Sequence, residues 1–147
     1  MVDDDEDDCL LVEAALYEAY FKCDFYCVRD GLEMLDYLNR SGAYQDPERA
    51  PRPDIILLDL KLPRMDGREV LLKLKSDARF RSIPVIILTT SSLEEDITFC
   101  YDVGANTYVV KDGSFAGLRD ALKVVKNYWL GTATLPPKAD VQPRERQ

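Results

Sequence analysis

The stretch Asp54-Ile55-Ile56-Leu57-Leu58-Asp59-Leu60-Lys61-Leu62-Pro63-Arg64-Met65-Asp66-Gly67 decides the fold. Its first half is a short run of β-branched and leucyl residues ending in a carboxylate. Such a run reads as a strand buried on both faces, which is the habit of parallel sheets. Pro63 and Gly67 mark a loop before the next helix. Asp59 therefore stands at the carboxyl edge of a strand, where open parallel sheets carry their chemistry.

Working outward, the pattern alternates strand and helix. Helices are predicted over residues 6–21, 31–39, 68–76, 93–103 and 115–130, the last with Leu118, Ala121, Leu122, Val125 and Trp129 on one face. Strands are predicted over 24–28, 54–60, 83–89 and 107–111. Residues 41–53, with Gly42, Pro47, Pro51 and Pro53, form a polar loop that cannot continue a helix. Strands and helices in this alternation imply an α/β fold, a doubly wound five-stranded parallel sheet of order 2-1-3-4-5 with helices on both faces. Residues 1–130 make one domain. Residues 131–147 make a Pro-containing, charged extension too short for a separate output domain.

The first strand of that sheet is short of residues. Only Met1-Val2 precede the acidic Asp3-Asp4. Four missing buried apolar residues would forfeit about 6–12 kcal/mol, against a whole-domain stability of about 5–15 kcal/mol. The expectation is a truncated first strand here, and a functional protein with several apolar residues ahead of Met1.

Composition narrows the function. The chain has 147 residues, 46% hydrophobic and 31% charged, which is globular. Its net charge of −8 argues against general nucleic-acid binding. No apolar run approaches the roughly 18 residues of a membrane span, and no leader pattern opens the chain. Cys9, Cys23, Cys27 and Cys100 show no C-x-x-C pair, and there is no His to complete a zinc site. Reduced cysteines in a cytoplasmic protein are the expectation.

Asp3, Asp4, Asp59, Thr89 and Lys111 all fall at the carboxyl ends of successive strands. Carboxylates without His or Cys make a hard oxygen site, which suits Mg²⁺ better than zinc. A hydroxyl and an ammonium facing that metal suit a phosphoryl group. A carboxylate so placed can be the nucleophile that carries it.

With these residues in place the chain resembles the receiver domain of two-component response regulators. Val2-Asp3-Asp4, the stretch 55–67, Val85-Ile86-Ile87-Leu88-Thr89-Thr90 and Tyr108-Val109-Val110-Lys111 carry the resemblance over residues 2–130. It implies that Asp59 accepts phosphate from a sensor histidine kinase. It implies that Asp4 binds Mg²⁺ directly and Asp3 largely through water, with Asp59 and the backbone carbonyl of Lys61 as further ligands. Lys111 would pair with the phosphoryl oxygens. Thr89 and Tyr108 would be the switch residues.

A narrower similarity, to single-domain regulators paired with bacterial phytochromes, rests on the loop 44–53, Gly67-Arg68-Glu69-Val70-Leu71, residues 89–96 and the ending 128–136. It implies a bacteriophytochrome as the kinase. It also points to a homodimer built on the last helix and residues 131–137, with Tyr128, Trp129, Leu130 and Leu135 in the contact. One departure from the receiver pattern is Asp112-Gly113 after Lys111, where receivers carry a proline after a cis bond. A trans bond is expected here, with Gly113 absorbing the altered turn.

Rival readings fare worse. An aspartyl phosphatase needs a second Asp where Lys61 stands. A flavodoxin-like cofactor binder needs a phosphate loop after the first strand. A calcium loop at Asp3-x-Asp5-x-Asp7 lacks its Gly and its distal Glu. A degenerate receiver that only binds partners remains the alternative.

Overall fold

The structure, a computed structural model, describes residues 1–18 and 23–138. Its elements in chain order are α1 (Glu6–Tyr17), α2 (Gly31–Asn39), β1 (Ile56–Leu58), α3 (Gly67–Ser76), β2 (Val85–Thr89), α4 (Glu94–Val103), β3 (Thr107–Val110) and α5 (Phe115–Lys126). The far end of the first predicted helix, residues 19–22, lies outside the described residues, as does the tail 139–147.

The three strands pair in parallel in the order β1-β2-β3. Ile56 stands beside Val85, and Ile86 beside Thr107. The two further strands expected are not full strands. Val2 forms isolated parallel bridges to Val28 on one side and Leu58 on the other. The Val2 amide donates to Leu57 (2.8 Å), and its carbonyl accepts from Asp59 (3.0 Å). Val2 thus occupies the central position, but residues 24–27 find no ladder to join. Only Met1 stands opposite them, and its amino group donates to the Tyr26 carbonyl at 2.7 Å. A cavity of about 360 Å³ lies at this end of the sheet, lined by Met1, Leu16, Phe25, Ile55 and Leu122 among others.

Alternation along the strands divides the core into two layers. Ile56, Leu58, Val85 and Ile87 face one way, packing with Met34, Val70, Leu71, Leu74 and Cys100 of α2, α3 and α4. Leu57, Ile86 and Leu88 face the other, against Val12, Ala15, Leu118 and Leu122 of α1 and α5. Helices therefore cover both faces, as the doubly wound reading requires.

Caps set the helix starts. Asp5 accepts from the amides of Asp7 and Asp8, and three acids follow in the first turn of α1, where the helix dipole favours them. Asp30, Asp66 and Ser114 cap α2, α3 and α5. The last helix does not run to residue 130. It ends at Lys126 and passes into a π-helical turn, Asn127–Thr132.

Cys9 and Cys27 form a disulfide, with Cα atoms 6.5 Å apart. This overturns the expectation of four reduced thiols. The first turn of α1 packs beside the chain entering Val28, and that brings together two cysteines 18 positions apart. Cys23 and Cys100 are free, and burial pushes the Cys100 thiol up to about 11.

Candidate functional site

β1 ends at Leu58, so Asp59 is the first residue beyond the strand, only 9% exposed. Its Oδ1 accepts the amide of Lys61 at 3.2 Å, which folds the following loop back over it. Gly67 closes that loop by donating its amide to Leu60 (2.9 Å). A Cβ at Gly67 would sit 2.1 Å from the Asp59 carbonyl oxygen and 2.6 Å from the Leu60 Cα. Glycine is thus the residue that lets α3 start against the backbone of Asp59.

Asp3 and Asp4 follow Val2 at the adjacent strand end. Oxygens of Asp3, Asp4 and Asp59 lie within 4.8 Å of one another. Lys111 follows β3 and crosses to them. Its Nζ is 2.6 Å from Asp3, 2.8 Å from Asp8 and 3.4 Å from Asp59. Burial works against charge on this lysine. Hydrogen bonds to Asp3 and Asp8 and the charge of Asp59 outweigh it and hold the ammonium well above its ordinary value. Asp3 is itself pushed up by burial, and Lys111 is the main group opposing that shift. Three carboxylates thus share one ammonium, and Asp4 stands beside them as a fourth.

Thr89, the last residue of β2, is fully buried, and its Oγ1 has no hydrogen-bond partner among the described residues. An orphaned hydroxyl at a strand end is costly unless something arrives to use it. Tyr108 donates its hydroxyl to the carbonyl of Ser91 at 2.8 Å, in the connection after Thr89.

Asp3, Asp4, Asp59 and Lys111 are therefore brought together, and Thr89 joins them through its carbonyl, which accepts from the Lys111 amide at 2.7 Å. Among the described residues no peptide bond is cis, and Gly113 takes φ +83° in the altered turn. Asp112 accepts from both the amide and hydroxyl of Ser114, each at 2.8 Å, which fixes the turn into α5. Asp8 was missed, because it reaches Lys111 only through the placement of α1. Also missed was a bidentate pair from Arg64, at φ +61°, to the helix-capping Asp30. Arg68 and Asp96, joined across α3 and α4, were not foreseen either.

Comparison with known proteins identifies this arrangement. The model of the response regulator receiver domain matches residues 1–123. The chain belongs to the receiver domain family. It is 38% identical to the response regulator Rcp1 of Synechocystis over 92% of this chain and 90% of that protein. It is 36% identical to a probable methanogenesis regulatory protein, FilR2, of Methanothrix harundinacea, over 95% of this chain and 87% of that one. Among solved structures it resembles the phosphorylated cyanobacterial phytochrome response regulator RcpA (43% identity, TM-score 0.87, 92% of this chain and 95% of that). It also resembles the Mn²⁺-bound form of Rcp1 (38% identity, TM-score 0.86, 92% and 96%). As a receiver domain this chain is a module of two-component signalling.

The acid cluster fits the divalent ion found in that relative. Every side-chain donor is a carboxylate oxygen, the hard ligand set that Mg²⁺ or Mn²⁺ takes. The imbalance of four carboxylates against one ammonium calls for added positive charge. Asp3, Asp4 and Asp59 are the side chains that would hold the ion, and when bound it would neutralise oxygens on an incoming phosphoryl group. Among the described residues no helix is long and apolar enough to cross a membrane.

Proposed function

We propose that this receiver is a phosphorylation switch whose acceptor is Asp59. One observation carries the reading. A single ammonium, Lys111, spans the carboxylates of two neighbouring strand ends, Asp3 and Asp59, and its own amide donates to the carbonyl of Thr89, whose buried hydroxyl has no partner among the described residues. In the transfer, a carboxylate oxygen of Asp59 attacks the phosphorus of a phosphohistidine. The new O–P bond forms as the N–P bond breaks, and the electron pair leaves with the imidazole nitrogen. Lys111 moves from the acids to the phosphoryl oxygens, and Thr89 supplies its free hydroxyl to them. Asp4, Asp59 and the Lys61 carbonyl would hold Mg²⁺, with Asp3 acting largely through water, and the ion would supply the positive charge that the phosphoryl oxygens need.

The donor is a sensor histidine kinase, and the phytochrome association of RcpA supports a bacteriophytochrome. The protein works in the cytoplasm without binding nucleic acid and has no catalytic turnover beyond gain and loss of its own phosphate. Its output is protein contact or onward phosphotransfer. It acts as a homodimer through the end of α5 and residues 131–137. Tyr128 is 54% exposed there and Leu135 is half-buried, while Trp129 and Leu130 lie partly against their own chain.

Incubation with acetyl phosphate and Mg²⁺, followed by intact mass, tests the acceptor. The protein should gain about 80 Da, the mass of one phosphoryl group, and Asp59→Asn should abolish the gain. Stoichiometric labelling of the variant would rule out Asp59. Absence of labelling in the unmodified protein would favour a pure partner-binding module.

A further inference from the structure

A second buried polar assembly joins the start of α3 to the connection between β2 and α4. Arg68, the second residue of α3, sets its guanidinium 3.4 Å from both oxygens of Asp66. The same guanidinium pairs with Asp96 in the first turn of α4, through Nε at 3.1 Å and through Nη2. Asp96 is 4% exposed, and its other oxygen takes the hydroxyl of Ser91 at 2.5 Å. Ser91 stands two residues after Thr89, and its carbonyl is the acceptor for Tyr108. Hydrogen bonds therefore run without a gap from Asp66, in the loop that follows Asp59, to the Tyr108 phenol.

Stability alone is a weak reason for this pair. Burying the Asp96 carboxylate costs desolvation, and the attraction to a guanidinium that is itself 37% exposed is screened by solvent, so the net gain is small. Nor does the α4 N-terminus need it, since Glu94 and Glu95 already place acids in its first turn. What the pair adds is position. It ties the residue after Thr90 to the helix that starts against the Asp59 backbone.

We propose that Arg68 and Asp96 are positioning residues for the reaction at Asp59. Their pair fixes Ser91. Through Ser91 it fixes Tyr108 and the backbone that presents the Thr89 hydroxyl. The proposal rests on the reading of Asp59 as phosphoacceptor. It requires that Arg68 and Tyr108, which share no direct hydrogen bond among the described residues, behave as one unit.

A double-mutant cycle on the full chain measures that unity. Asp59 labelling by acetyl phosphate and Mg²⁺ is timed in the unmodified protein, Arg68→Gln, Tyr108→Phe and the double variant. The Tyr108 ring signal, assigned by its loss in Tyr108→Phe, is followed by NMR of ring-labelled tyrosine. Arg68→Gln should slow labelling about three- to tenfold, as expected for residues in one hydrogen-bonded network, and should move the Tyr108 signal. In the Tyr108→Phe background the same change should have little further effect. Ser91→Ala, which keeps the carbonyl but loses the link to Asp96, should reproduce both results, and it carries the test if Arg68→Gln does not fold. An unchanged rate overturns the proposal, whether or not the Tyr108 signal moves. So does an equal slowing with and without the phenol hydroxyl, which would mark the pair as mere support. Asp59→Asn separates the two readings. Labelling that survives it sinks the acceptor assignment, whereas its loss alongside a multiplicative cycle sinks only the positioning role.

Discussion

At the scale of single residues, Lys111 and Gly67 make the most exacting demands. Among the described residues Lys111 is the one ammonium paired with Asp3, Asp8 and Asp59. Replacing it by alanine concentrates uncompensated negative charge at the strand ends. Lys111→Ala should therefore bind Mg²⁺ at least as tightly as the unmodified chain, by calorimetric titration, yet label with acetyl phosphate at least about tenfold more slowly, the range for losing a charged stabilising group. A loss of metal affinity would mean that Lys111 organises the acids more than it opposes them. Gly67→Ala forces a Cβ onto backbone atoms of Asp59 and Leu60, which have no rotamer to yield. Urea unfolding should show a loss of about 1–3 kcal/mol, toward the upper end. Residues at this scale were legible where a strand end announces them, as at Asp59, Thr89 and Lys111. Asp8, Arg68 and Asp96 were not, because each earns its role from a partner on a distant element, and nothing in a charged residue of an acidic helix says which neighbour it will meet.

At the scale of elements, helix placement followed from caps and apolar spacing, and α2, α3 and α4 lie within about one residue of their expected bounds. The misses have physical causes. Strand pairing is a property of two segments, so residues 24–28 could read as a strand and still be limited to one bridge, at Val28, because only Met1-Val2 stand opposite them. The end of α5 was misplaced because its apolar face continues past Lys126 while the backbone widens into a π turn. The Cys9–Cys27 pairing depends on how α1 docks, which cysteine spacing does not encode. The α3–α4 junction makes a pH-dependent expectation. The Ser91 hydroxyl and the Arg68 guanidinium hold the Asp96 carboxyl below its ordinary 3.8. A lowered folded value contributes stability that is complete above that ordinary value and is lost as pH falls through the folded one. Asp96→Asn should thus cost about 1–3 kcal/mol at pH 7, the range for a pair with one half-exposed partner. The gap from the unmodified protein should narrow below about pH 4, as read by urea unfolding across pH. A gap of constant size would show that shape and not charge holds the junction.

At the scale of the whole molecule, two matters remain: how copies meet, and how the sheet holds together. If the homodimer is built on residues 131–137, truncation after Leu130 should shift sedimentation toward the monomer at tens of micromolar, the range of about −6 to −7 kcal/mol of association, with Asp59 labelling intact. A truncated protein that stays dimeric would move the contact elsewhere. The sheet depends on Val2. That residue alone, among those described, bridges Val28 to Leu58, and the acids that follow it face Asp59 across the same seam. An ion gripped by Asp3, Asp4 and Asp59 would then be a rivet as well as a reagent, clamping a seam that the backbone of Val2 closes with two hydrogen bonds. Anything that binds only the assembled form shifts the balance toward it. For this chain, then, the supply of divalent ions would govern how tightly the fabric is sewn before any phosphate arrives.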